Sequence, residues 1–277
     1  MISNSAVERD QQQRRVTAHF DSHALDWKTI YERPGLYATI HQERRTRVLR
    51  TIDGLALPAG STVLETGCGA GSVAVALALR GHFVQATDCA FAMVSFARRL
   101  AVEAKVEDRV RTSVSDIRDL KFPDHSFDLV VALGVLPWIY PPLDPPVREI
   151  ARVLKPGGYM VANIDNLWRL NHILDPLLGG RRLLGKILRR LGMARANSSA
   201  CAHTCSPGRF DRLLREAGLA KMQSFTLGFG PFSLLSREVV PEPLGLKLHS
   251  KLQNLADDGF PLIRACGTQY VVLAKKE

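Results

Sequence analysis

Between residues 62 and 73 the chain reads Thr62-Val63-Leu64-Glu65-Thr66-Gly67-Cys68-Gly69-Ala70-Gly71-Ser72-Val73. A short apolar run reads as a buried strand, Glu65 closes it, three glycines turn the chain, and Ser72 to Leu79 reads as a helix. Glycine at alternate positions permits positive φ and lets a ligand lie against bare main chain. The start of the following helix offers free N–H groups and a positive dipole end. Two ligands compete for such a loop. Gly69-Ala70-Gly71-Ser72-Val73-Ala74 fits the G-x-G-x-x-G/A string of dinucleotide sites. Glu65 weighs against that, because a carboxylate two residues before the first glycine repels a pyrophosphate and suits a cationic group. Asp88, at the end of Phe83–Asp88, can accept both ribose hydroxyls of either ligand, and Asp116 ends the next strand.

The elements that must position these residues alternate. Strands at 62–66, 83–88, 110–115, 127–134 and 158–165 are separated by helical patterns at 71–80, 91–104 and 145–154, with a loop after the third strand. Such alternation predicts a parallel sheet with helices on both faces and a ligand at the carboxyl ends of the strands. Before the sheet, Arg14 to Tyr31 has helical spacing, Pro34-Gly35 breaks it, and Leu36 to Asp53 forms a second, Arg-rich helix. These helices are expected to cap the ligand edge, with Trp27 and Tyr31 facing the pocket. Ser206-Pro207 starts a helix that Gly218 ends, and strands follow at 220–228 and Gln269–Lys275. The expected domains are a helical cap at 1–57 and a sheet domain at 58–277, with insertions at about 167–205 and 229–268. The second insertion carries the apolar cluster Phe229, Phe232, Leu234 and Leu235 and a helix at Leu244–Ala256.

Glu65-Thr66-Gly67-Cys68-Gly69-Ala70-Gly71 resembles the E/D-x-G-x-G-x-G first motif of class I S-adenosylmethionine-dependent methyltransferases. Ser126 to Leu136 resembles that family's fourth motif, and Arg148 to Tyr159, with its Leu-Lys-Pro-Gly-Gly, resembles its post-motif. The resemblance covers about residues 60–165 and is nearest the small-molecule branch, like the ubiquinone and menaquinone methyltransferases. It implies a Rossmann-like, doubly wound, seven-stranded, mostly parallel α/β sheet of order 3-2-1-4-5-7-6. The donor S-adenosylmethionine carries an ammonium and a sulfonium and no phosphate. On this resemblance Gly67, Cys68, Gly69 and Gly71 hold its methionine part and Glu65 orders the loop and the ammonium. Asp88 holds the ribose, Cys89 and Met93 wall the site, Asp116 and Ile117 hold the adenine, and Leu133 supports the donor's edge.

After the fourth strand stand Leu136-Pro137-Trp138-Ile139, with no acid–base side chain and no Asn-Pro-Pro-Tyr or Asp-Pro-Pro-Tyr string. This argues against amino-group methylation of nucleic-acid bases. Trp138, and Asn166 at the end of the fifth strand, are expected in the acceptor pocket. His41, His172 and His203 are the candidate general bases, each in the right pKa range.

Composition narrows the rest. A 277-residue chain with 46% apolar and 23% charged residues is that of an ordinary globular protein. Met1 to Arg15 is polar and lacks an apolar h-region, which argues against a secretory signal. Five scattered cysteines, an odd number, read as reduced thiols in a cytoplasm. Cys201-Ala202-His203-Thr204-Cys205 lacks a second ligand cluster, so no metal is expected. The net charge of +10 is mostly dispersed. One concentrated stretch, 170–191, sets apolar stripes such as Leu183, Leu184, Ile187 and Leu188 against Arg181, Arg182, Lys186, Arg189 and Arg190. It reads as a lid over the site or as a helix resting on an anionic membrane surface. The function expected is methylation of a small, lipophilic acceptor, foremost on oxygen. The alternatives are nitrogen or carbon methylation of a metabolite, a nucleic-acid methyltransferase, and a donor-binding protein without turnover. No nucleic-acid partner is expected, and oligomeric state is not legible.

Overall fold

The computed structural model describes residues 4–170, 202–234 and 237–277. The chain opens with α1 (Asn4–Ser22), α2 (Ala24–Thr29) and α3 (Leu36–Asp53). The single helix expected over Arg14–Tyr31 therefore starts earlier and is broken at His23. There the Ser22 hydroxyl and the His23 ring both bond to the His19 carbonyl, at 3.0 and 2.9 Å, alongside the His23 N–H at 3.0 Å.

Next come β1 (Thr62–Thr66), α4 (Ser72–Ala78), β2 (Phe83–Asp88), α5 (Phe91–Glu103), β3 (Val110–Val114) and β4 (Phe127–Ala132). A 3-10 turn at Leu136–Trp138 precedes α6 (Asp144–Val153) and β5 (Leu154–Asn166). After the first insertion stand β6 (Thr204–Cys205), α7 (Pro207–Glu216) and β7 (Leu219–Leu227). The second insertion holds the ribbon β8 (Ser233–Leu234) and β9 (Arg237–Glu238), then α8 (Glu242–Asp257), and β10 (Gln269–Lys276) closes the chain.

The sheet runs β3-β2-β1-β4-β5-β10-β7, with β6 as an extra short strand beside β5. Counting the long strands, this is the expected order 3-2-1-4-5-7-6. β1 to β5 are parallel and β10 is antiparallel to both its neighbours. All five parallel strands thus end at one edge, and β10 begins there, Gln269 pairing with Asp165. Side chains alternate between two cores, as strand pleating requires. Leu64, Val130 and Ala132 join the core under α6 and α7, whereas Val63, Leu129 and Val131 join the one under α3, α4 and α5. Lys155 does more than sit at a helix C-terminus: its Nζ donates to Asp128 Oδ1 at 2.8 Å, and Asp128 Oδ2 accepts from the Thr62 N–H at 2.8 Å, tying the non-ligand ends of β1, β4 and β5.

The cap is held from behind by α8. Glu242 accepts from the Leu36 N–H at 3.2 Å, Arg47 makes a bidentate pair with Asp257 at 2.7 and 2.6 Å, and the His249 ring bridges Phe229 and Glu43. His249 Nδ1 accepts from the Phe229 N–H, so its Nε2–H donates to Glu43.

Candidate functional site

A cavity of about 390 Å³ opens at the strand edge, between the sheet and the N-terminal helices. The glycine loop forms its floor, and each glycine there has its own reason. A Cβ on Gly67 would sit 2.5 Å from the Val135 Cβ, and one on Gly71 would sit 2.7 Å from the Ala97 Cβ. Gly69 has φ +52° and nothing within 4 Å of its Cβ position, so packing leaves that face open. Gly67 and Gly69 line the cavity; Gly71, at φ +85°, starts α4 behind it.

Glu65, next to last in β1, lies under this loop, 3% exposed. Its Oε2 is buried with no hydrogen-bond partner. Burial pushes the carboxyl up to about 8, against the opposing Ala74 N–H, with nearby Asp88 adding to the rise and Arg45 opposing it. An orphaned buried carboxylate oxygen lining a cavity is a place for a cation or a donor. Asp88 also lines it; its Oδ2 accepts from the Gly69 N–H at 2.9 Å and its Oδ1 from the Ala90 N–H at 3.0 Å, fixing the loop to β2. Burial raises the Asp88 pKa despite these bonds. Asp116 lines the cavity with Ile117, but its carboxylate is clasped by its own neighbour: Arg118 Nη2 donates to Oδ2 at 2.7 Å and the Arg118 N–H to Oδ1 at 2.9 Å. Cys68, Cys89, Met93 and Leu133 complete this half. Burial holds the Cys68 thiol well above its usual range and pushes Cys89 up to about 12, so neither is a thiolate.

The opposite wall is aromatic. Trp138, on the 3-10 turn, meets Phe20 edge-on at 5.0 Å and Trp27 at 6.5 Å, and Trp27 meets the His41 ring at 6.0 Å. Trp27, Tyr31 and Trp138 all line the cavity.

The three candidate histidines fare differently. His41 lines the cavity; its Nδ1–H donates to the Tyr37 carbonyl at 2.9 Å, and burial, aided by the Arg44 charge, pushes its pKa down to about 3. It is a neutral imidazole and a feeble base. His203 does not line the cavity; its neighbour Ala202 does, and its ring stands edge-on to Tyr140. His172 and the 171–191 part of the lid or membrane segment lie outside the described residues. Asn166 does not line the cavity either: its Nδ2 donates to the carbonyls of Ala265 at 2.7 Å and Gly267 at 2.9 Å.

Four further polar residues line the cavity: Asp165, one of the polar residues that close the fifth strand, and Arg44, Arg169 and Gln269, which the sequence does not mark. Strand alternation is the signal that places Asp165 rather than Asn166 on the cavity side. Burial raises the Asp165 pKa against the pull of Arg169, whose Nη1 lies 3.6 Å away, and of Arg44. No described helix is long and apolar enough to cross a membrane.

Residues 64–162 match the family model described as a methyltransferase domain. The 27-O-demethylrifamycin SV methyltransferase of Amycolatopsis mediterranei (strain S699) is 31% identical over 180 residues, 64% of this chain and 61% of that protein. A ubiquinone biosynthesis O-methyltransferase of Pseudomonas putida (strain GB-1) is 31% identical over 153 residues, 55% and 63% respectively. The chain thus spans less than two thirds of the length of either curated relative. Among solved structures, magnesium protoporphyrin IX methyltransferase (ChlM) from Synechocystis PCC 6803 with bound SAH superposes at a TM-score of 0.64. That match covers 96% of this chain and 100% of that one at 17% identity, a likeness of fold.

Proposed function

We propose that the chain, whose residues 64–162 match the methyltransferase-domain model, is a class I S-adenosylmethionine-dependent methyltransferase of a small, lipophilic acceptor, acting on oxygen. The observation that carries the reading is the pairing of an orphaned buried Glu65 oxygen with an open face at Gly69 in one cavity. A nucleoside donor with a cationic amino-acid end fits such a floor, and a pyrophosphate does not.

S-adenosylmethionine supplies a sulfonium methyl, an electrophile that passes to a nucleophile by in-line displacement. Glu65 Oε2 takes the ammonium, and the main chain at Gly67–Gly69 takes the methionine part. Asp88, locked by two backbone N–H groups, offers its remaining lone pairs to the ribose. Asp116 and Ile117 hold the adenine, and Cys89, Met93 and Leu133 wall it in. Phe20, Trp27, Tyr31 and Trp138 exclude water and give an apolar acceptor a surface, which supports the lipophilic class. Both curated relatives bear names of oxygen methyltransferases, which supports oxygen over nitrogen or carbon. Asp165 and His41 also line this cavity, and burial raises the pKa of the first and lowers that of the second.

The test is incubation of the purified chain with methyl-labelled donor and an extract of its own cells. The expected product is a lipophilic small molecule whose labelled carbon has the chemical shift of a methyl ester or ether. A label on nitrogen, carbon or nucleic acid rejects the reading.

A further inference from the structure

The loop after α8 displays a leucine to solvent in a backbone conformation that costs energy. Leu262 has φ +70° and ψ −51°, and the Ile263 N–H donates to the Pro261 carbonyl at 2.9 Å. A bond of that span across that geometry makes a γ-turn of the rare, strained hand. The Leu262 side chain is 79% exposed, so burial does not offset the strain, and Phe260 beside it is 53% exposed. Of the fourteen large apolar side chains exposed among the described residues, five fall within residues 239–262, a concentration that singly scattered apolar residues do not produce.

The charge around this tip is positive. On α8, Leu244, Lys247, Lys251 and Leu255 recur every three or four residues and are all exposed, opposite the buried Gly245, His249 and Gln253. Beside the tip, a groove of about 640 Å³ runs between α3, α8 and the edge strand β7, and it shares no lining residue with the cavity of the candidate site. Arg47, Arg50 and Arg264 line it against one acid, Asp257, which the Arg47 fork already holds at 2.7 and 2.6 Å. Among the described residues no carboxylate stands within salt-bridge distance of Arg50 or Arg264. Arg264 belongs to the tip itself: its N–H donates to the Phe260 carbonyl at 3.1 Å, and its own carbonyl accepts from Thr226 Oγ1 at 2.7 Å. From Lys247 onward, helix, tip and groove set five cations, Lys247, Lys251, Arg47, Arg50 and Arg264, against the two acids Asp257 and Asp258.

We propose that this face docks on an anionic phospholipid surface. Phe260 and Leu262 enter the boundary between headgroups and acyl chains, while Arg50, Arg264 and the α8 lysines take headgroup phosphates. The strained turn then has a use, since it points an apolar side chain outward that a relaxed loop would fold back. A second copy of the chain fits less well. A two-fold interface sets the same patch against itself, and this patch offers Asp258 alone as an unpaired acid to its own arginines and lysines. The docking depends on neither the donor nor the acceptor assignment.

The test is sedimentation of the full chain with vesicles of phosphatidylcholine alone and of equal parts phosphatidylcholine and phosphatidylglycerol. The anionic vesicles are expected to bind about tenfold or more tighter, with the difference shrinking as salt is raised. Phe260→Ser with Leu262→Gly, and separately Arg50→Gln with Arg264→Gln, should each weaken binding to the anionic vesicles by about tenfold or more. Leu262→Gly alone should bind them more weakly yet melt at or above the wild-type temperature, because glycine accepts this φ without strain and the exposed side chain gives up little packing. A residue kept for the fold would not show that combination. Equal binding to the two vesicles, or binding to neither, overturns the proposal. So does undiminished binding in either double variant, or a lower melting temperature in Leu262→Gly. A wild-type dimer in solution that the Phe260→Ser, Leu262→Gly protein no longer forms would assign the face to a second copy and overturn it too.

Discussion

Glu65 is stabilised as an acid by burial and left with one oxygen unpartnered. Its pKa in the folded chain, about 8, lies above the ordinary 4.5. The folded chain therefore binds more protons than the unfolded chain between those values, and stability falls as pH rises through that window. Below about 4.5 both states are protonated, and above about 8 both are ionised, so this slope is confined between. At roughly 1.4 kcal/mol per pKa unit the loss is on the order of 3–5 kcal/mol at most. The melting temperature of the ligand-free protein is thus expected to decline from pH 5 to pH 8, and Glu65→Gln should flatten the decline. An unchanged slope in the variant would show that Glu65 is not the group responsible. An ammonium beside Oε2 reverses the shift, so binding of S-adenosylhomocysteine, which keeps the donor's amino-acid ammonium, should release protons at pH 7, seen as a binding enthalpy that differs between buffers of different ionisation heat. At this scale the sequence was informative wherever type alone decides: Glu65, the loop glycines and Asp88 could be picked by chemistry. It was uninformative where orientation decides, as with Asn166, whose amide is spent on Ala265 and Gly267 while Asp165 beside it lines the cavity.

The elements follow from hydrophobic period and turn chemistry. Strict alternation of strands and helices, with Pro58-Ala59-Gly60 and Pro156-Gly157-Gly158 at the joints, was enough for the sheet order. The break at His23 was not, because His23 leaves helical backbone geometry, at φ −110° and ψ 19°, without being a breaker residue. The glycine loop offers a test at this scale. Gly69 and Gly71 both have positive φ, but only a Gly71 Cβ meets an obstacle, Ala97 on α5 at 2.7 Å. Gly69→Ala should cost about 1–2 kcal/mol for the left-handed backbone alone. Gly71→Ala should cost that and a further 1–3 kcal/mol or so of overpacking between α4 and α5. Urea denaturation of the two variants measures the difference, and equal costs would contradict the packing of α4 on α5 described above.

Over the whole molecule, the site joins pieces far apart in the chain. Arg44 comes from the cap, Glu65 and Asp88 from the first strands, Asp165 from the fifth, and Gln269 from the last. Parallel strands put the acids at one edge, which pattern reading anticipates. The antiparallel β10 returns Gln269 to that edge, and the phase of α3 turns Arg44 rather than Arg45 toward Gly134; neither is visible without the packing. The central claim is that a positively charged methyl donor, not a dinucleotide, lies against Gly67–Gly69 beside Glu65. Titration calorimetry of the purified chain with S-adenosylhomocysteine and, separately, NAD tests it most directly. The account predicts one S-adenosylhomocysteine site per chain and no heat with NAD. It also predicts loss of that site in Gly69→Arg, whose side chain would project into the open face while the fold survives. Binding of NAD, or equal S-adenosylhomocysteine binding by Gly69→Arg, would contradict it.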